Sequence, residues 1–506
     1  MKRPLLACLL VLVVGLAGAA PAAAQESVDG DRLDAAVSAV VDKHHLAGLA
    51  LAVVDDAGVV LAEGYGSTGD DRPVTPDTPM VIGSVTKSFT AVAVLQLVEQ
   101  GLVDLDGSVR TYLPWFEVAD PAASEAITVR DLLAHTSGLS EFGYNRVLDP
   151  DTTLAEGVRD LRSARPTAPV GQRYQYFSPN YWTLALVIET VTAQSYGDYV
   201  AEHIFGPLQM TRSYADPAQA RAAGLAQGHS TLFGFAVPRE QPFRRYYQGA
   251  GYLVSTARDL SRFLRAIAHD GGYDGGRILS ADSVKLMKTP LVGGNESMGL
   301  GWGSADDGWE ASGGADETFN AQLMWSAELG RGFVWTMNQQ HIIGATFARQ
   351  DLNGALTALV AGDEVPAGGL SMRTLGLVIL GVLLVVVALT VRSLLRLRGW
   401  TRRSRGMTSV QLIWAIAPHV VVPALILFAV YRLAGPLVFG VDWAFNFRYV
   451  GAYMLPDIAL LLLVAVVPDL LQAAYMAGAV AVDRFRARGA PLEQPVEAPS
   501  EQPVHV

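Results

Sequence analysis

The chain has 506 residues, of which 50% are hydrophobic and only 17% are charged, and its mean hydropathy is +0.26. This composition excludes a disordered chain and indicates that part of the protein lies in a lipid bilayer. The formal net charge of −11 leaves no broad cationic surface for a phosphate backbone, which excludes a general nucleic-acid binder.

The N-terminus has the pattern of a secretion signal. Two basic residues precede an apolar run over residues 5–16, and small residues follow up to Ala24. We therefore predict a signal peptide over residues 1–24. Cys8 is the only cysteine and lies inside this segment, so the mature chain would have no disulfide, thiolate metal site or cysteine nucleophile. A lipoprotein signal at Cys8 is the alternative, although the apolar run continues past the cysteine.

Residues 25–365 have a mixed composition and are predicted to form one domain outside the cytoplasm. Alternating hydrophobic residues predict a hairpin near each end, with strands over residues 49–54 and 59–64 and over residues 321–327 and 333–337. The sequence between the hairpins is richer in helical periodicity. We therefore predict an α+β fold in which both ends of the domain form one antiparallel sheet, with a helical region inserted and a cleft where the two parts meet.

A serine and a lysine three residues apart, Ser84 and Lys87, stand at the start of the first helix in the inserted region. On a helix their side chains lie one turn apart on the same face and can share a hydrogen bond. A serine hydroxyl becomes a good nucleophile when a base takes its proton, and a buried lysine can be that base. The structural alternative is a helix-capping serine beside a solvated lysine, and spacing alone does not decide between the two.

Three long apolar runs follow the first domain. At 1.5 Å per residue, about 20 residues cross the roughly 30 Å hydrocarbon core of a bilayer. We predict a membrane domain over residues 366–482, followed by a tail over residues 483–506. The predicted transmembrane helices cover residues 375–391, 412–433 and 453–482.

Arginines are concentrated on one side of these predicted spans. Six lie between the first and second runs and three follow the third, whereas Arg448 alone lies between the second and third. By the positive-inside rule, the arginine-rich loop and the tail face the cytoplasm. The large domain then faces outward from the cell membrane, in agreement with the signal peptide. Core helices of a soluble domain are the alternative, but they would not explain this asymmetry.

An ordered set of motifs surrounds the serine and lysine. Together the motifs closely resemble those of the serine beta-lactamase-related family, which includes class C beta-lactamases, D-alanyl-D-alanine carboxypeptidases, D-aminopeptidases and certain esterases. The resemblance covers roughly residues 33–338 and implies that Ser84 is a nucleophile and that Lys87 shuttles its proton. The matching segments are GSVTK at 83–87, LDGSVRTYLP at 105–114, ITVRDLLAHTSGL at 127–139, GPLQM at 206–210, GAGYLVSTARDL at 249–260 and MGLGW at 298–302.

The second motif of that family is a tyrosine followed two residues later by an asparagine. Tyr176 stands at the tyrosine position, and the resemblance implies that its phenol relays protons during acylation and deacylation. Ser178 stands at the asparagine position. A hydroxyl lacks the two-sided contact of a carboxamide, so recognition of a substrate amide should differ here. A purely structural aromatic residue is the alternative for Tyr176.

The third motif of the family is Lys or His, then Ser or Thr, then Gly, on a strand that lines the site. Residues 311–314 align with this motif. Ser312 and Gly313 match it, and the resemblance implies that they bind substrate together with Ser178. The basic residue, however, is replaced by Ala311.

The resemblance also implies an oxyanion hole formed by the backbone amides of Ser84 and Gly314. Because main-chain groups are the donors, the change at position 311 leaves the oxyanion hole in place. A lost charged contact worth about 2 to 4 kcal/mol would lower the rate by about 10² to 10³. A slow enzyme, an enzyme for uncharged substrates and a retired enzyme all fit this change.

Other polar residues are assigned structural roles. His135 has no needed task beside a Ser-x-x-Lys pair and is predicted to be buried and structural. Asp457, Asp469 and His419 lie in or near the predicted spans, where ionisable groups are often functional, yet we favour a structural role for them. No metal-ligand spacing is present, so no metal or other cofactor is predicted.

We therefore predict a membrane-anchored serine hydrolase that cleaves an amide or ester through an acyl-enzyme, with small-molecule or peptide substrates that include D-amino-acid peptides of the cell wall. The alternative is a catalytically impaired family member, in which the outer domain binds a ligand and the membrane helices anchor it or transmit the signal. The sequence identifies neither the substrate nor any protein partner.

Overall fold

The structure, a computed structural model, describes residues 29–290, 297–305, 308–434 and 447–488. The predicted signal peptide and residues 489–506 of the predicted tail lie outside the described residues. The described strands are β1 Gly48–Asp55, β2 Val59–Gly66, β3 Met80–Val81, β4 Gly228–Leu232, β5 Phe235–Arg239, β6 Val254–Ser255, β7 Gly272–Tyr273, β8 Gly276–Arg277, β9 Gly303–Ser304, β10 Trp309–Ala315, β11 Asn320–Ser326, β12 Arg331–Met337 and β13 Gln339–Gln340.

The helices fall into two groups, one before and one after residue 365. The second group, α12 to α16, is called the membrane region below, and residues 29–365 are called the N-terminal domain. The helices are α1 Gly30–His44, α2 Thr86–Glu99, α3 Pro121–Ala126, α4 Val129–Leu133, α5 Leu154–Asp160, α6 Pro179–Thr192, α7 Tyr196–Val200, α8 Pro217–Ala222, α9 Ala257–Ala268, α10 Ala281–Lys288, α11 Ile342–Ala361, α12 Met372–Leu397, α13 Trp400–Ser404, α14 Ser409–Ile416, α15 Pro418–Ala434 and α16 Pro456–Arg488.

Both ends of the N-terminal domain contribute to one sheet, which confirms the predicted α+β fold. Its strand order is β2-β1-β12-β11-β10-β9, and β1 pairs antiparallel with β12 so that Leu49 lies opposite Met337. The two predicted hairpins are β1–β2 and β11–β12. Asp55 closes the first turn, because its Oδ1 accepts hydrogen bonds from the backbone nitrogens of Ala57 and Gly58 at 2.8 and 2.9 Å.

Strand β1, second from one edge of the sheet, is buried on both faces. Because side chains alternate along a strand, Leu49, Leu51 and Val53 pack into a core shared with α1 and α11. Ala50 and Ala52 point the other way, toward a second apolar cluster between the sheet and the inserted region. The sheet is therefore a middle layer, with the helical insertion on the side away from α1 and α11.

The helical insertion contains the largest apolar core. Helix α2 runs through it, and 12 of its 14 residues are buried. Phe89 of α2 stacks on Phe263 of α9 with ring centroids 4.0 Å apart. Burial on all sides fixes α2 between the insertion and the sheet, so the start of α2 lies where the two parts of the domain meet.

The membrane region contains three spans that are long and apolar enough to cross a bilayer. They cover Met372–Leu397, Ser409–Arg432 and Pro456–Arg486. Each predicted apolar run lies largely within one of these spans, although the helices extend further because the flanking polar residues continue the helical backbone. The second span consists of α14 and α15, and α16 continues through Pro468.

Each acidic residue singled out in the predicted spans has a histidine partner. Asp457 Oδ1 lies 3.0 Å from Nε2 of His341 in the N-terminal domain, and Asp469 Oδ1 lies 3.0 Å from Nδ1 of His419 on α15. The first contact links the two regions of the protein and the second links two spans. A structural role for these residues is consistent with both contacts.

Candidate active site

The predicted nucleophile lies in a tight turn between a short strand and a buried helix. After β3, a 3-10 turn covers Gly83–Val85 and leads directly into α2. Gly83 has a φ of +51°, in the left-handed region that favours glycine, and a Cβ at this position would lie 2.8 Å from the backbone nitrogen of Ala315. Glycine therefore lets this turn pack directly against the end of β10.

Three polar side chains meet at this turn. The Ser84 Oγ lies 2.7 Å from the phenol oxygen of Tyr176, and the Lys87 Nζ donates a hydrogen bond to the same Oγ at 3.0 Å. Ser84 and Lys87 are one helical turn apart, whereas Tyr176 comes from the segment just before α6. The structure thus places the Lys87 amine and the Tyr176 phenol within hydrogen-bond distance of the Ser84 Oγ.

The lysine is held in place by buried neighbours. Lys87 is 4% exposed, and its Nζ donates a second hydrogen bond to the carbonyl oxygen of Ala250 at 2.7 Å. The Nζ also lies 5.0 and 5.7 Å from the ring centroids of Tyr176 and Tyr181. In the described part of the chain no carboxylate forms an ion pair with this amine. Its hydrogen bonds to the Ser84 Oγ and the Ala250 carbonyl oxygen therefore fix its position.

A buried histidine supports the segment that carries the tyrosine. His135 is 3% exposed, and burial, followed by the nearby Lys87 charge, lowers the pKa of its imidazole well below the usual value. The neutral ring accepts a hydrogen bond at Nδ1 from the backbone nitrogen of Phe177 at 3.1 Å. Its centroid lies 4.6 Å from that of the Tyr176 ring. His135 therefore helps to position Tyr176 rather than to activate Ser84.

The two predicted oxyanion-hole residues lie against each other. A Cβ on Gly314 would lie 2.0 Å from the carbonyl oxygen of Ile82 and 2.8 Å from the backbone nitrogen of Ser84. No side chain fits at position 314 without moving the strand or the turn. This close approach brings the main chains of the turn and of β10 to the nucleophile, where backbone donors could stabilise an oxyanion.

The predicted substrate-binding residues differ in placement. Ser178 and Gly313 line the cavity, of about 510 Å³, that contains Ser84 and Tyr176. The Ser312 side chain does not line this cavity. Its Oγ lies 2.7 Å from the Oγ of Ser88 in α2, because alternation along β10 turns residue 312 toward α2. Any substrate contact of Ser312 in this arrangement would have to involve its backbone.

The altered third motif has a cation nearby. Ala311 packs against the core shared with α11, on the face of β10 opposite Ser312. Arg349 of α11 lines the cavity together with Gly313 and Gly314. Burial lowers the pKa of Arg349, and among the described residues no carboxylate pairs with its guanidinium. Sequence reasoning missed Arg349, since it is 38 positions from Ala311 and only the packing of α11 brings it to the site.

A carboxyl group also lines this cavity. Burial raises the pKa of Glu141 to about 7, an effect that the Lys87 charge partly opposes. No described residue donates a hydrogen bond to this carboxyl. Glu141 follows the motif at 127–139 by two residues, but nothing in that spacing predicts an approach to the serine.

A buried ionic cluster supports another wall of the cavity. Arg244, which lines the cavity, pairs with Glu317 just after β10. Glu317 also accepts hydrogen bonds from the Tyr252 hydroxyl at 2.8 Å and from the Gln241 side-chain nitrogen at 2.7 Å. Burial and the Glu317 charge raise the pKa of neighbouring Asp316 well above its usual range. The cluster therefore joins the segment after β10 to the motif at 249–260.

The sequence model of one protein family matches most of the N-terminal domain. That family, Beta-lactamase, matches residues 33–356, which is more than half of the chain. The chain belongs to this family. The match includes the turn with Ser84, the segment with Tyr176, strand β10 and most of α11, so it covers every residue of the site described above.

Two curated relatives illustrate the breadth of the family. The chain is 34% identical over 276 residues to penicillin-binding protein 4 of Amycolatopsis lactamdurans, covering 53% of this chain and 71% of the relative. It is 27% identical over 238 residues to Protein flp of Staphylococcus aureus, covering 46% of this chain and 48% of that protein. The match thus spans about half the length of the staphylococcal relative.

The solved structure of an octameric penicillin-binding protein homologue from Pyrococcus abyssi is also similar. It has a TM-score of 0.57 and 25% sequence identity, over 66% of this chain and 78% of that chain. Beta-lactamase-family proteins of this type are serine hydrolases that work through an acyl-enzyme. The geometry at Ser84 is chemically suited to such a reaction, since a hydroxyl, an amine and a phenol lie within reach of a single proton relay.

Proposed function

We propose that this protein is a membrane-anchored serine hydrolase that cleaves an ester or amide through an acyl-enzyme on Ser84. The observation that carries the proposal is the position of the Ser84 Oγ, which is 3.0 Å from Lys87 Nζ and 2.7 Å from the Tyr176 phenol oxygen. D-amino-acid peptides of the cell wall are one substrate class that fits this chemistry. The predicted signal peptide and arginine distribution support a location of the N-terminal domain outside the cytoplasm.

In the acylation step, the Ser84 Oγ attacks the carbonyl carbon of the substrate. The hydroxyl proton passes to Lys87 or Tyr176, and the backbone amides of Ser84 and Gly314 stabilise the negative charge that develops on the carbonyl oxygen. The bond to the leaving group then breaks, and the same relay returns a proton to the departing alcohol or amine. The product of this step is an ester of Ser84.

In the deacylation step, a water molecule attacks the ester carbonyl. Tyr176 or Lys87 takes a proton from the water, the bond from the carbonyl carbon to the Ser84 Oγ breaks, and the Oγ regains a proton. The products are a free acid and the original enzyme. His135 takes no part in these transfers, because burial keeps it neutral and its Nδ1 is occupied by the Phe177 amide.

The charge of the cavity supports a preference for substrates with an anionic group. Arg349 provides a guanidinium with no described carboxylate partner, and it lines the same cavity as Gly313. A half-buried cation without a carboxylate partner has lost part of its hydration, and an anion on the substrate would offset this loss. Arg349 would thus supply the positive charge that position 311 lacks.

The proposal is tested by labelling purified membranes with a fluorescent fluorophosphonate and with a fluorescent penicillin. We expect at least one probe to label the wild-type protein and neither to label Ser84→Ala. Ser88→Ala is the matched control, because Ser88 lies one helical turn away with its hydroxyl bonded to the Gly301 carbonyl and to Ser312. Equal labelling of Ser84→Ala and wild type, or no labelling of folded wild type, would favour the binding-domain alternative.

A further inference from the structure

The active-site cavity is not formed by the N-terminal domain alone. Its lining includes Val450 and Met454 in addition to Ser84 and Tyr176. Both apolar residues belong to a π-helical segment, Phe447–Met454, which ends two residues before the long membrane helix α16. One wall of the cavity is therefore part of the membrane region.

The preceding membrane helix also reaches the cavity rim. Phe142, next to the cavity-lining Glu141, makes an edge-to-face contact with Tyr431 of α15 at a centroid distance of 6.3 Å. The guanidinium of Arg432 lies 4.7 Å from the centroid of the same phenylalanine. The end of α15 that is nearest the N-terminal domain thus borders the cavity, as does the segment before α16.

Buried polar contacts fix this arrangement. His341 Nε2 lies 3.0 Å from Asp457 Oδ1 at the start of α16, and Asp457 Oδ2 accepts a hydrogen bond from the backbone nitrogen of Phe233 at 3.3 Å. The other ring nitrogen of His341 caps α11 by accepting from Gly344 at 2.9 Å. Both side chains of the His341–Asp457 pair are almost fully buried. The start of α11, which lines the cavity, is thereby joined to the start of a membrane span.

Close backbone packing joins the first span to the same part of the domain. A Cβ on Gly376 of α12 would lie 2.1 Å from the backbone of Phe233 and Gly234, in the turn between β4 and β5. Helices α12 and α16 therefore both pack against the domain near their N-terminal ends. Since these ends lead into apolar spans, the cavity wall that they support lies at the bilayer surface.

The chemistry of this wall is suited to a hydrocarbon chain. Ile342 and Ala345 of α11 face the cavity together with Val450 and Met454, and none of the four has a polar side-chain group other than the methionine thioether. Ala345, Val450 and Met454 are almost fully buried, so the wall offers apolar contacts to an acyl chain, whereas a hydrophilic peptide lying against it would lose hydrogen bonds with water.

We propose that the substrate is a bilayer-resident lipid whose acyl carbonyl reaches Ser84 while its hydrocarbon chain lies along the wall formed by Ile342, Ala345, Val450 and Met454. This inference rests on the proposed serine-hydrolase function. The acyl group is transferred from the lipid oxygen or nitrogen to the Ser84 Oγ, the lipid headgroup fragment leaves with a proton, and water then releases the fatty acid. Binding along the wall gives entry from the membrane side of the cavity.

The test uses the full-length protein in phosphatidylcholine nanodiscs and two fluorophosphonate probes that differ only in an ethyl or a dodecyl chain. The rate constant for labelling of Ser84 is measured for each probe. Met454→Gln makes the wall more polar with little change in side-chain length. Met476→Gln is the matched control, since Met476 of α16 is buried to a similar extent as Met454 but packs on Trp400 and Leu412, away from the cavity.

We expect the wild type to react faster with the dodecyl probe than with the ethyl probe. Met454→Gln should slow labelling by the dodecyl probe about tenfold and leave labelling by the ethyl probe within twofold. Met476→Gln should alter neither rate. The same dodecyl rate in Met454→Gln and wild type, or equal losses in the two methionine variants, would overturn the inference.

The two proposals fail in different ways. Labelling of Ser84 by the ethyl probe without any advantage for the dodecyl chain would retain the serine-hydrolase proposal and overturn the lipid substrate. No labelling of Ser84 by either probe would overturn both. Thermal unfolding of the two methionine variants, measured in the same nanodiscs, identifies any loss that comes from misfolding.

Discussion

Replacing the tyrosine in Tyr176→Phe removes one oxygen atom from the centre of the site. This oxygen lies 2.7 Å from the Ser84 Oγ and is the atom through which the phenol can exchange a proton with the nucleophile. The ring contacts with His135, at 4.6 Å, and with the Lys87 amine, at 5.0 Å, do not involve the hydroxyl and should persist. The variant therefore tests the relay with little change in packing.

The expected loss can be divided between stability and rate. One partly buried hydrogen bond contributes about 1 kcal/mol to stability, so the melting temperature should fall by only a few degrees. A positioned general acid or base contributes about 10² to 10⁴ in rate, and we expect kcat for ester hydrolysis to fall by about this factor. The drop in rate should thus greatly exceed any drop in folded protein.

The assay is hydrolysis of p-nitrophenyl butyrate by the full-length protein, with Tyr174→Phe as the control. Tyr174 is a second mostly buried phenol, two residues earlier in the same segment, and has no hydrogen bond to Ser84. Tyr174→Phe should keep kcat within about threefold, since it removes a hydroxyl that takes no part in the proposed relay. A Tyr176→Phe enzyme as fast as Tyr174→Phe would refute the proposed relay.

Four further outcomes are expected. Arg349→Gln should lower kcat/KM for the p-nitrophenyl half-ester of succinate about 10- to 100-fold relative to the uncharged butyrate ester. Arg349→Lys should restore part of this loss. Equal effects of Arg349→Gln on both esters would exclude an anion contact. Gly314→Ala should lower kcat by about 10² to 10³, because the added Cβ would lie 2.0 Å from a carbonyl oxygen. At Gly313 the nearest atoms to an added Cβ belong to the side chain of Gln322, which can move, so Gly313→Ala should retain more activity. The pKa of Glu141 is raised to about 7, so the folded state holds this proton more tightly than the unfolded state does, and stability falls as the pH rises from about 4.5 to 7. Glu141→Gln should therefore raise the melting temperature more at pH 8 than at pH 5. An equal change at both pH values would contradict this. A reporter fused after Val506 should be cytoplasmic, and an external signal would contradict the predicted topology.

The sheet and the spans could be predicted because their signals are local. Alternating apolar residues and the Asp55 turn define the first hairpin, and length with hydropathy defines the spans. The proximity of Ser84 and Lys87 likewise follows from their spacing on one helical turn. Tyr176, which is 92 residues from Ser84, was identified only through resemblance to a family, because no local pattern reports a contact over that distance.

The rest of the site depends on tertiary packing. Arg349 and Glu141 carry no motif, and their approach to Ser84 results from how α11 and the segment after α4 pack against the sheet and insertion. Strand alternation predicts where the Ser312 side chain points only when it is known which face of β10 packs against α2. The contribution of Val450 and Met454 required knowledge of how the membrane region docks on the domain.

The most direct test of the account is mass spectrometry of the enzyme during turnover of an ester substrate, followed by mapping of the modified peptide. We expect an added mass equal to the acyl group, carried by the peptide that contains Ser84 and absent from Ser84→Ala. Active hydrolysis in a protein whose Ser84 is never acylated, or an acyl group carried by another residue, would contradict the assignment of Ser84 as the nucleophile.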